Sequence, residues 1–281
     1  MLSYRHAFHA GNHADVFKHH ILVELLTYLN QKDKPYYYID THAGAGMYSL
    51  TEGYAAQNAE YESGIGKLWQ RRDAPESLAR YVDIVRSFNP DGVLRYYPGS
   101  PLIAQKLIRA SDRLRLFELH PADGRLLRQN CGVFLDSKQT KIQTIDGFGG
   151  IKAVLPPASR RGLILIDPAY EAKSDYTNVV AVLREGMKRF ATGVYAVWHP
   201  CLAKRETHLL TGTLRRLPFK NWLYATLTVQ KPSMDGFGMH GSAMFIGNPP
   251  WTLAENLKET LLYLVRRLGK DESAAFTIEA L

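Results

Sequence analysis

Four aliphatic residues in a row, Leu-Ile-Leu-Ile at positions 163–166, lead straight into Asp167, Pro168, Ala169 and Tyr170. A run without polar alternation predicts a strand that is buried on both faces, as in the middle of a parallel sheet. Pro168 ends this strand because it has no N–H to give to the sheet. Asp167 then lies where open α/β sheets bind their ligands, although an ordinary Asp-Pro turn would also fit this segment taken alone.

Three further strand patterns lead into an acid, at positions 36–40, 114–118 and 141–145. The acids are Asp40, Glu118 and, one residue past the last strand, Asp146. Because the carboxyl ends of parallel strands meet at one edge of a sheet, we expect these acids to line up with Asp167. Four acids in this arrangement are harder to explain as ordinary turns than one acid is, so we interpret the edge as a ligand-binding edge.

Helical patterns separate the strands. An apolar stripe from Val16 to Leu29 predicts a helix that Asn12 or Asp15 would cap, and Ser100 would cap a second helix. Other helices are expected at 121–130, 176–190, 206–217 and 253–268, and other strands at 193–200, 223–229 and 244–247. This alternation predicts an α/β, Rossmann-like fold with a mostly parallel central sheet and helices on both faces.

A helical insertion interrupts the first half of that fold. Residues 52–95 carry two helical patterns where a strand would usually lead directly into its helix, so we predict a core of 1–51 and 96–281 with a small inserted subdomain. An acid that binds a ribose normally lies about 20 residues beyond the glycine turn. Glu118 lies 72 residues beyond Gly46 (118 − 46), and removing the 44 inserted residues leaves 28.

The turn after the first acid-tipped strand reads Thr41-His-Ala-Gly-Ala-Gly46. Small residues such as Gly44 and Gly46 let the backbone approach a bound nucleotide closely. The full dinucleotide pattern needs a third glycine three residues later, and that position is Ser49. An S-adenosylmethionine site, which needs no pyrophosphate cradle, therefore fits better than a dinucleotide site.

The other two acids fit the remaining parts of such a cofactor. Glu118 would accept hydrogen bonds from the ribose hydroxyls. Asp146 would accept from the exocyclic adenine amine, and Gly147 would leave room for the adenine ring. An ordinary Asp-Gly turn remains an alternative for the second pair.

Composition indicates which partner and which cellular compartment to expect. The 281 residues carry a formal net charge of +8, which fits a nucleic-acid partner, although a basic enzyme without such a partner is equally compatible. The two cysteines lack metal-ligand spacing and suit a reducing compartment. Without a signal-type apolar run or a stretch approaching ~18 apolar residues, we expect a cytoplasmic protein that spans no membrane. The five histidines within residues 6–20 are interrupted by Gly11-Asn12, so we expect no metal.

The ordered acids and the Asp-Pro-Ala-Tyr segment resemble class I S-adenosylmethionine-dependent methyltransferases that methylate amino groups. Longer motifs narrow the resemblance to the ribosomal RNA large subunit methyltransferase J family, and it spans nearly the whole chain. These motifs are Tyr4-Arg-His-Ala-Phe-His-Ala-Gly-Asn-His-Ala-Asp-Val-Phe-Lys-His, Asp40-Thr-His-Ala-Gly-Ala-Gly, Tyr96-Tyr-Pro-Gly-Ser-Pro and Ser159-Arg-Arg-Gly-Leu-Ile-Leu-Ile-Asp-Pro.

The resemblance implies an enzyme that methylates adenine N6 in 23S ribosomal RNA with S-adenosylmethionine. We expect the protein to be a monomer. Asp167 would be the catalytic acid, assisted by Pro168 and Tyr170. Cofactor contacts are expected from Lys18, His19, Asp40, His42, Gly44, Gly46, Ser100, Glu118, Asp146, Gly147 and Asp167. RNA contacts are expected from Tyr4, Arg5 and His6, with phosphates held by Arg5, Lys18, Arg160 and Arg161.

The family's usual Asp-Pro-Pro-Tyr is changed here, because residue 169 is alanine. The acid, the first proline and the tyrosine remain, so we expect activity, with Tyr170 stacked on an extruded base. Two other interpretations stay open. A DNA adenine or protein glutamine N-methyltransferase would share the same motif, and a non-catalytic RNA-binding assembly protein would share the fold.

Overall fold

One eight-stranded sheet organises the chain in a computed structural model, which describes residues 6–132, 138–234 and 238–281, with 54–56 described by their backbone only. The strands are β1 (Tyr37–Asp40), β2 (Met47–Ser49), β3 (Tyr96–Pro98), β4 (Arg113–Phe117), β5 (Thr140–Gln143), β6 (Gly162–Ile166), β7 (Val194–Cys201), β8 (Trp222–Thr228), β9 (Gly241–Gly247) and β10 (Ala275–Ala280). The large sheet has the order β10-β8-β9-β7-β6-β1-β4-β5, and β2 pairs with β3 separately. Strands β5, β4, β1, β6 and β7 are parallel, while β9 is antiparallel to both β7 and β8.

Helices cover both faces of the sheet. They are α1 (His13–Asn30), α2 (Gly53–Asn58), α3 (Glu76–Arg86), α4 (Ser100–Leu107), α5 (Pro121–Gly132), α6 (Gly147–Val154), α7 (Lys173–Arg189), α8 (Arg205–Leu214) and α9 (Leu253–Leu268). On β6, Leu163 and Leu165 pack into the core beside α1, α4 and α9, while Ile164 and Ile166 pack into the core beside α7 and α8. The expected Rossmann-like α/β fold is confirmed. No helix in the described ranges is long and apolar enough to cross a membrane.

The strand at the centre of the sheet is β6, and all five of its residues are buried. It lies between β1 and β7, so both of its edges are hydrogen-bonded as well. Burial on both faces explains why its sequence lacks polar alternation. The strand predicted at 141–145 is shorter than expected: β5 ends at Gln143, and Asp146 follows after two more residues.

The predicted N-cap is correct for α1 but not for α4. Asn12 caps α1, because its side chain accepts from the N–H groups of Ala14 and Asp15. The predicted cap at Ser100 is wrong by one residue: Gly99 is the N-cap and Ser100 is the first residue of α4. The Ser100 hydroxyl is therefore free to bond elsewhere.

The insertion leaves the core between β2 and β3, which pair antiparallel at its base. It contains α2, two 3-10 turns (Glu60–Ser63 and Ile65–Lys67) and α3. The N–H of Ile65 donates to the carbonyl of Gly11 at 2.8 Å, and a Cβ on Gly64 would lie 2.1 Å from that same carbonyl oxygen. The insertion thus packs directly against the segment before α1. The division at 52–95 stays a prediction.

Buried histidines make the fold sensitive to acid. Burial lowers the pKa of His13, His42 and His199 to about 4 and that of His20 to about 3. As pH falls below about 6.5, these histidines become protonated in the unfolded chain but stay neutral in the folded chain. Folding stability therefore decreases by up to ~1.4 kcal/mol per pH unit for each histidine.

We therefore expect the free energy of unfolding, measured with urea, to fall steeply between pH 6.5 and 4. His20→Gln should reduce the slope by about one proton, while His208→Gln at an exposed position should leave it unchanged. A stability that stays constant from pH 7 to 5 would show that these side chains are not buried as neutral groups.

Candidate active site

Asp167 lies at the carboxyl edge of the sheet, directly after β6, and a buried lysine holds its carboxylate. The Nζ of Lys18 on α1 donates to Asp167 Oδ2 at 2.6 Å and lies 2.9 Å from Asp15 Oδ1. The Lys18 side chain is 6% exposed and that of Asp167 is 14% exposed. Within the described part of the chain, Oδ1 of Asp167 receives no hydrogen bond, so this oxygen is available to a ligand.

Asp15 fixes the lysine from within the same helix. Its Oδ2 accepts from Gly11 N at 2.9 Å and lies 2.9 Å from His6 Nε2. Burial favours the neutral acid, but His6 and Lys18 outweigh it and hold the pKa of Asp15 well below its usual range. Burial also disfavours the charged lysine, yet Asp15 and Asp167 raise the pKa of Lys18 above its usual value. Lys18 therefore stays protonated at neutral pH and ties α1 to the strand end.

Asp40 is enclosed by its own hydrogen bonds. It is fully buried, and its Oδ2 accepts from the hydroxyls of Tyr38 and Ser100, each at 2.7 Å. Its Oδ1 accepts from His42 N at 3.2 Å. Burial raises the pKa of this carboxyl. The side chain has no exposed surface and holds Ser100 and the turn at His42 in place. The cofactor contact expected of Asp40 stays a prediction.

Glu118 forms a hydrogen bond with the glycine turn that follows β1. Its Oε2 accepts from Gly44 N at 2.8 Å and its Oε1 accepts from His120 N at 2.6 Å. Gly44 and Gly46 have φ angles of 62° and 80°, in the region that glycine adopts without strain. Burial raises the pKa of the Glu118 carboxyl. Each carboxylate oxygen keeps further acceptor capacity, so Glu118 can also accept from the hydroxyls of a ligand.

Asp146 is the N-cap of α6. Its Oδ1 accepts from Phe148 N at 3.1 Å and its Oδ2 from Gly149 N at 3.0 Å, while the residue itself is exposed. A Cβ on Gly147 would lie 2.0 Å from the carbonyl oxygen of Thr41. The glycine is therefore needed for close packing of α6 against the chain after β1. Its expected role in leaving room for the adenine ring stays a prediction.

Tyr170 points into the protein. It has a φ of 55°, is 5% exposed, and its hydroxyl donates to the carbonyl of Trp198 at 2.7 Å. Its ring centroid lies 4.9 Å from that of Tyr176 and 6.2 Å from that of Trp198. In this arrangement the Tyr170 ring packs on its neighbours, and the expected stacking of Tyr170 on a base stays a prediction. Pro168 is buried and Ala169 is exposed.

The two candidate histidines have different surroundings. His19 is 1% exposed and its Nδ1 lies 2.7 Å from Tyr97 Oη. The ligand contact expected of His19 stays a prediction. His42 is half-buried in the turn after β1, where its Nδ1 lies 2.8 Å from Thr41 Oγ1. His42 therefore remains a candidate ligand contact, and its lowered pKa keeps it neutral at neutral pH.

The expected RNA contacts are only partly placed. Tyr4 and Arg5 lie outside the described residues, and His6 bonds to Asp15. Arg161 precedes β6 at the opposite edge of the sheet, where its guanidinium donates to the carbonyls of Leu29 and Lys34, and Arg160 lies beside it. The two arginines thus lie at the other edge of the sheet from Asp167, and the Lys18 ammonium lies between two carboxylates. The phosphate contacts expected of these three residues stay predictions.

Two residues near Asp167 were missed from sequence. Asp15 lies one helical turn before Lys18, a spacing that could have indicated the ion pair. Trp198 lies beside Asp167 because β7 runs parallel to β6, with Val197 opposite Ile166. Among the described residues, no three His, Cys, Asp or Glu side chains are grouped as metal ligands would be.

Comparison with known proteins gives consistent results. A family model described as ribosomal RNA large subunit methyltransferase D, RlmJ, matches residues 33–279. The chain is 46% identical over 280 residues to the ribosomal RNA large subunit methyltransferase J of Haemophilus influenzae, covering 99% of this chain and 98% of that protein. It is 47% identical over 268 residues to the Escherichia coli protein of the same name, covering 95% and 94%.

A solved structure is similar over the same extent. The crystal structure of a Legionella pneumophila protein superposes with a TM-score of 0.88 at 35% sequence identity, covering 96% of this chain and 98% of that one. Agreement at this level over nearly the whole length means that the two proteins share their overall fold.

Proposed function

Since this chain belongs to the ribosomal RNA large subunit methyltransferase J family and is an S-adenosylmethionine-dependent RNA methyltransferase, we propose that it methylates N6 of an adenine in 23S ribosomal RNA. The observation that carries the adenine assignment is the Asp167 carboxylate. One of its oxygens is fixed by Lys18, while the other receives no hydrogen bond among the described residues. This oxygen and the carbonyl of the next residue, Pro168, are two acceptors that would suit an amine with two hydrogens.

The residues along the edge fit S-adenosylmethionine. We propose that Glu118 accepts from the ribose hydroxyls, because its carboxylate is held at the strand end by Gly44 N and His120 N. Gly44 borders the same place, and a Cβ there would lie 2.4 Å from the Tyr48 hydroxyl. The exposed carboxylate of Asp146 would accept from the adenine amine. When bound, the cofactor supplies an electrophilic methyl group.

Asp167 and Pro168 would prepare the acceptor nitrogen. Adenine N6 is a poor nucleophile because its lone pair is delocalised into the ring. Asp167 Oδ1 and the Pro168 carbonyl would each accept one N6 hydrogen and thereby turn the lone pair toward the methyl group. Holding the reacting atoms in line provides most of the rate enhancement. The proton leaves N6 after methyl transfer, so Asp167 does not have to act as a strong base.

Lys18 would orient the carboxylate. Its short contact to Oδ2 leaves Oδ1 as the oxygen that meets the base, and its second contact to Asp15 prevents the lysine from following the substrate. A charge-assisted hydrogen bond of this kind is stronger and more directional than a neutral one. We also propose that the protein works as a monomer in the cytoplasm, where the proposed ribosomal RNA substrate is found.

The direct test is transfer of a labelled methyl group from S-adenosylmethionine to deproteinised 23S RNA, followed by digestion to nucleosides. We expect the label in N6-methyladenosine. Label in duplex DNA or in protein glutamine instead would support the alternative methyltransferases, and a protein that binds RNA without any transfer would support an assembly role.

Replacing Glu118 with glutamine tests the cofactor site. The amide offers one acceptor oxygen where the carboxylate offers two, so we expect roughly 10- to 100-fold weaker S-adenosylmethionine binding by calorimetry. Glu279→Gln, at an exposed position on β10, should bind like the wild type. Unchanged affinity in Glu118→Gln would place the ribose elsewhere.

A further inference from the structure

Trp198 lies beside the proposed acceptor site but has no part in the mechanism described so far. The pairing of Ile166 with Val197 places Trp198 next to Asp167 at the carboxyl edge. Its ring is on the side of α1, because the Nζ of Lys18 lies 5.6 Å from the ring centroid. The indole therefore adjoins the same ammonium that holds the catalytic carboxylate.

The exposed part of Trp198 is apolar. The residue is partly exposed, yet its Nε1 is buried and has no hydrogen-bond partner among the described residues. Its backbone lies inside the sheet, between β6 and β9, and its carbonyl accepts from Tyr170. The accessible surface must therefore be carbon of the indole ring, next to the polar groups of Asp167 and Lys18.

A space-filling role explains this arrangement poorly. An indole N–H that is buried usually finds a partner, and leaving it unpaired costs free energy. Leucine or phenylalanine would fill the same position without that cost. Aromatic carbon surface beside hydrogen-bond acceptors is what recognition of an unstacked base requires. The aromatic residue of the Asp-Pro-Ala-Tyr segment offers little such surface, since Tyr170 is 5% exposed.

We propose that the exposed indole surface of Trp198 packs against the acceptor purine and fixes the plane of its ring while Asp167 and Pro168 hold N6. This inference rests on the proposed function and adds a base-contacting residue to it. The purine stacks through its ring, so this contact selects for a flat base, while the Asp167 and Pro168 acceptors select for an amino group. Trp198 thus orients the purine ring and takes no part in proton transfer.

The test compares Trp198→Leu with Trp198→Phe, using 23S RNA as substrate. We expect Trp198→Leu to lower kcat/KM roughly 10- to 100-fold and Trp198→Phe to restore most of the loss, because the phenyl ring keeps an aromatic surface. S-adenosylmethionine binding should stay unchanged in both variants. Trp251→Leu is the matched control, since Trp251 is 84% exposed and follows β9 at the opposite edge of the sheet; it should keep wild-type kcat/KM.

Tryptophan fluorescence provides a readout that a structural role would not change. Saturating RNA should quench the emission of wild-type protein, and this quenching should be absent in Trp198→Phe. That comparison remains informative if Trp198→Leu does not fold. A folded Trp198→Leu with kcat/KM within twofold of wild type, or equal quenching in wild type and Trp198→Phe, would overturn this inference alone. Absence of methyl transfer by the wild type would overturn the proposed function, and this inference with it.

Discussion

Replacing Asp167 with asparagine is expected to lower the rate of methyl transfer by about 10²- to 10³-fold, the size of effect seen when one preorganised hydrogen-bonding group is removed from an active site. Lys18 requires an acceptor at 2.6 Å, so the amide oxygen of the asparagine will face the lysine. The amide nitrogen is then turned toward the base. There it presents N–H groups to the N6 hydrogens, and the lone pair of N6 is no longer directed at the methyl group.

Single-turnover transfer to 23S RNA measures this effect without interference from product release. The matched control is Asp33→Asn, which removes the same charge from a fully exposed side chain and should keep the wild-type rate. Cofactor affinity of Asp167→Asn should fall only a few-fold, which separates a chemical defect from a binding defect. An Asp167→Asn rate above one tenth of wild type would contradict the proposed role of this carboxylate.

Replacing Lys18 with methionine is expected to reduce both stability and activity. It leaves the buried carboxylate of Asp15 and the partly buried carboxylate of Asp167 without the cation that lies between them. Removing one partner of a buried ion pair costs about 3–5 kcal/mol, because the remaining charge is left uncompensated. We expect a loss of this order in the free energy of urea unfolding, together with loss of methyl transfer.

A double variant separates the two effects of Lys18. Lys18→Met with Asp15→Asn removes one of the two uncompensated charges, so stability should recover in part, while activity should not, because Asp167 Oδ2 still lacks its donor. Lys204→Met, at an exposed position, is the control and should unfold like the wild type. A Lys18→Met protein that unfolds at the wild-type urea concentration would show that the ion pairs contribute little.

The sheet edge could be predicted from sequence because its signals are local. The buried strand before Asp167 and the acid after each neighbouring strand are visible in short segments, and parallel pairing brings their ends together without further information. The glycine turn could be predicted for the same reason. The turn requires positive φ angles at positions 44 and 46, and glycine adopts them without strain.

Contacts between distant segments could not be predicted in this way. Lys18 lies 149 residues before Asp167, and nothing in either local sequence indicates that α1 delivers an ammonium to this strand end. Tyr170 turns inward because the carbonyl of Trp198, on the neighbouring strand, accepts its hydroxyl. Asp40 is enclosed because α4 begins one residue earlier than expected and directs Ser100 at it. Each of these details depends on tertiary packing.

The central claim is that Asp167 promotes methylation of an adenine N6 in 23S ribosomal RNA. Its most direct test is the mapping of N6-methyladenosine in 23S RNA from cells that lack the gene and are complemented with wild-type protein or with Asp167→Asn. The account predicts that one N6-methyladenosine disappears with the gene, returns with the wild type and stays absent with Asp167→Asn. An unchanged N6-methyladenosine map without the gene, or full restoration by Asp167→Asn, would contradict it.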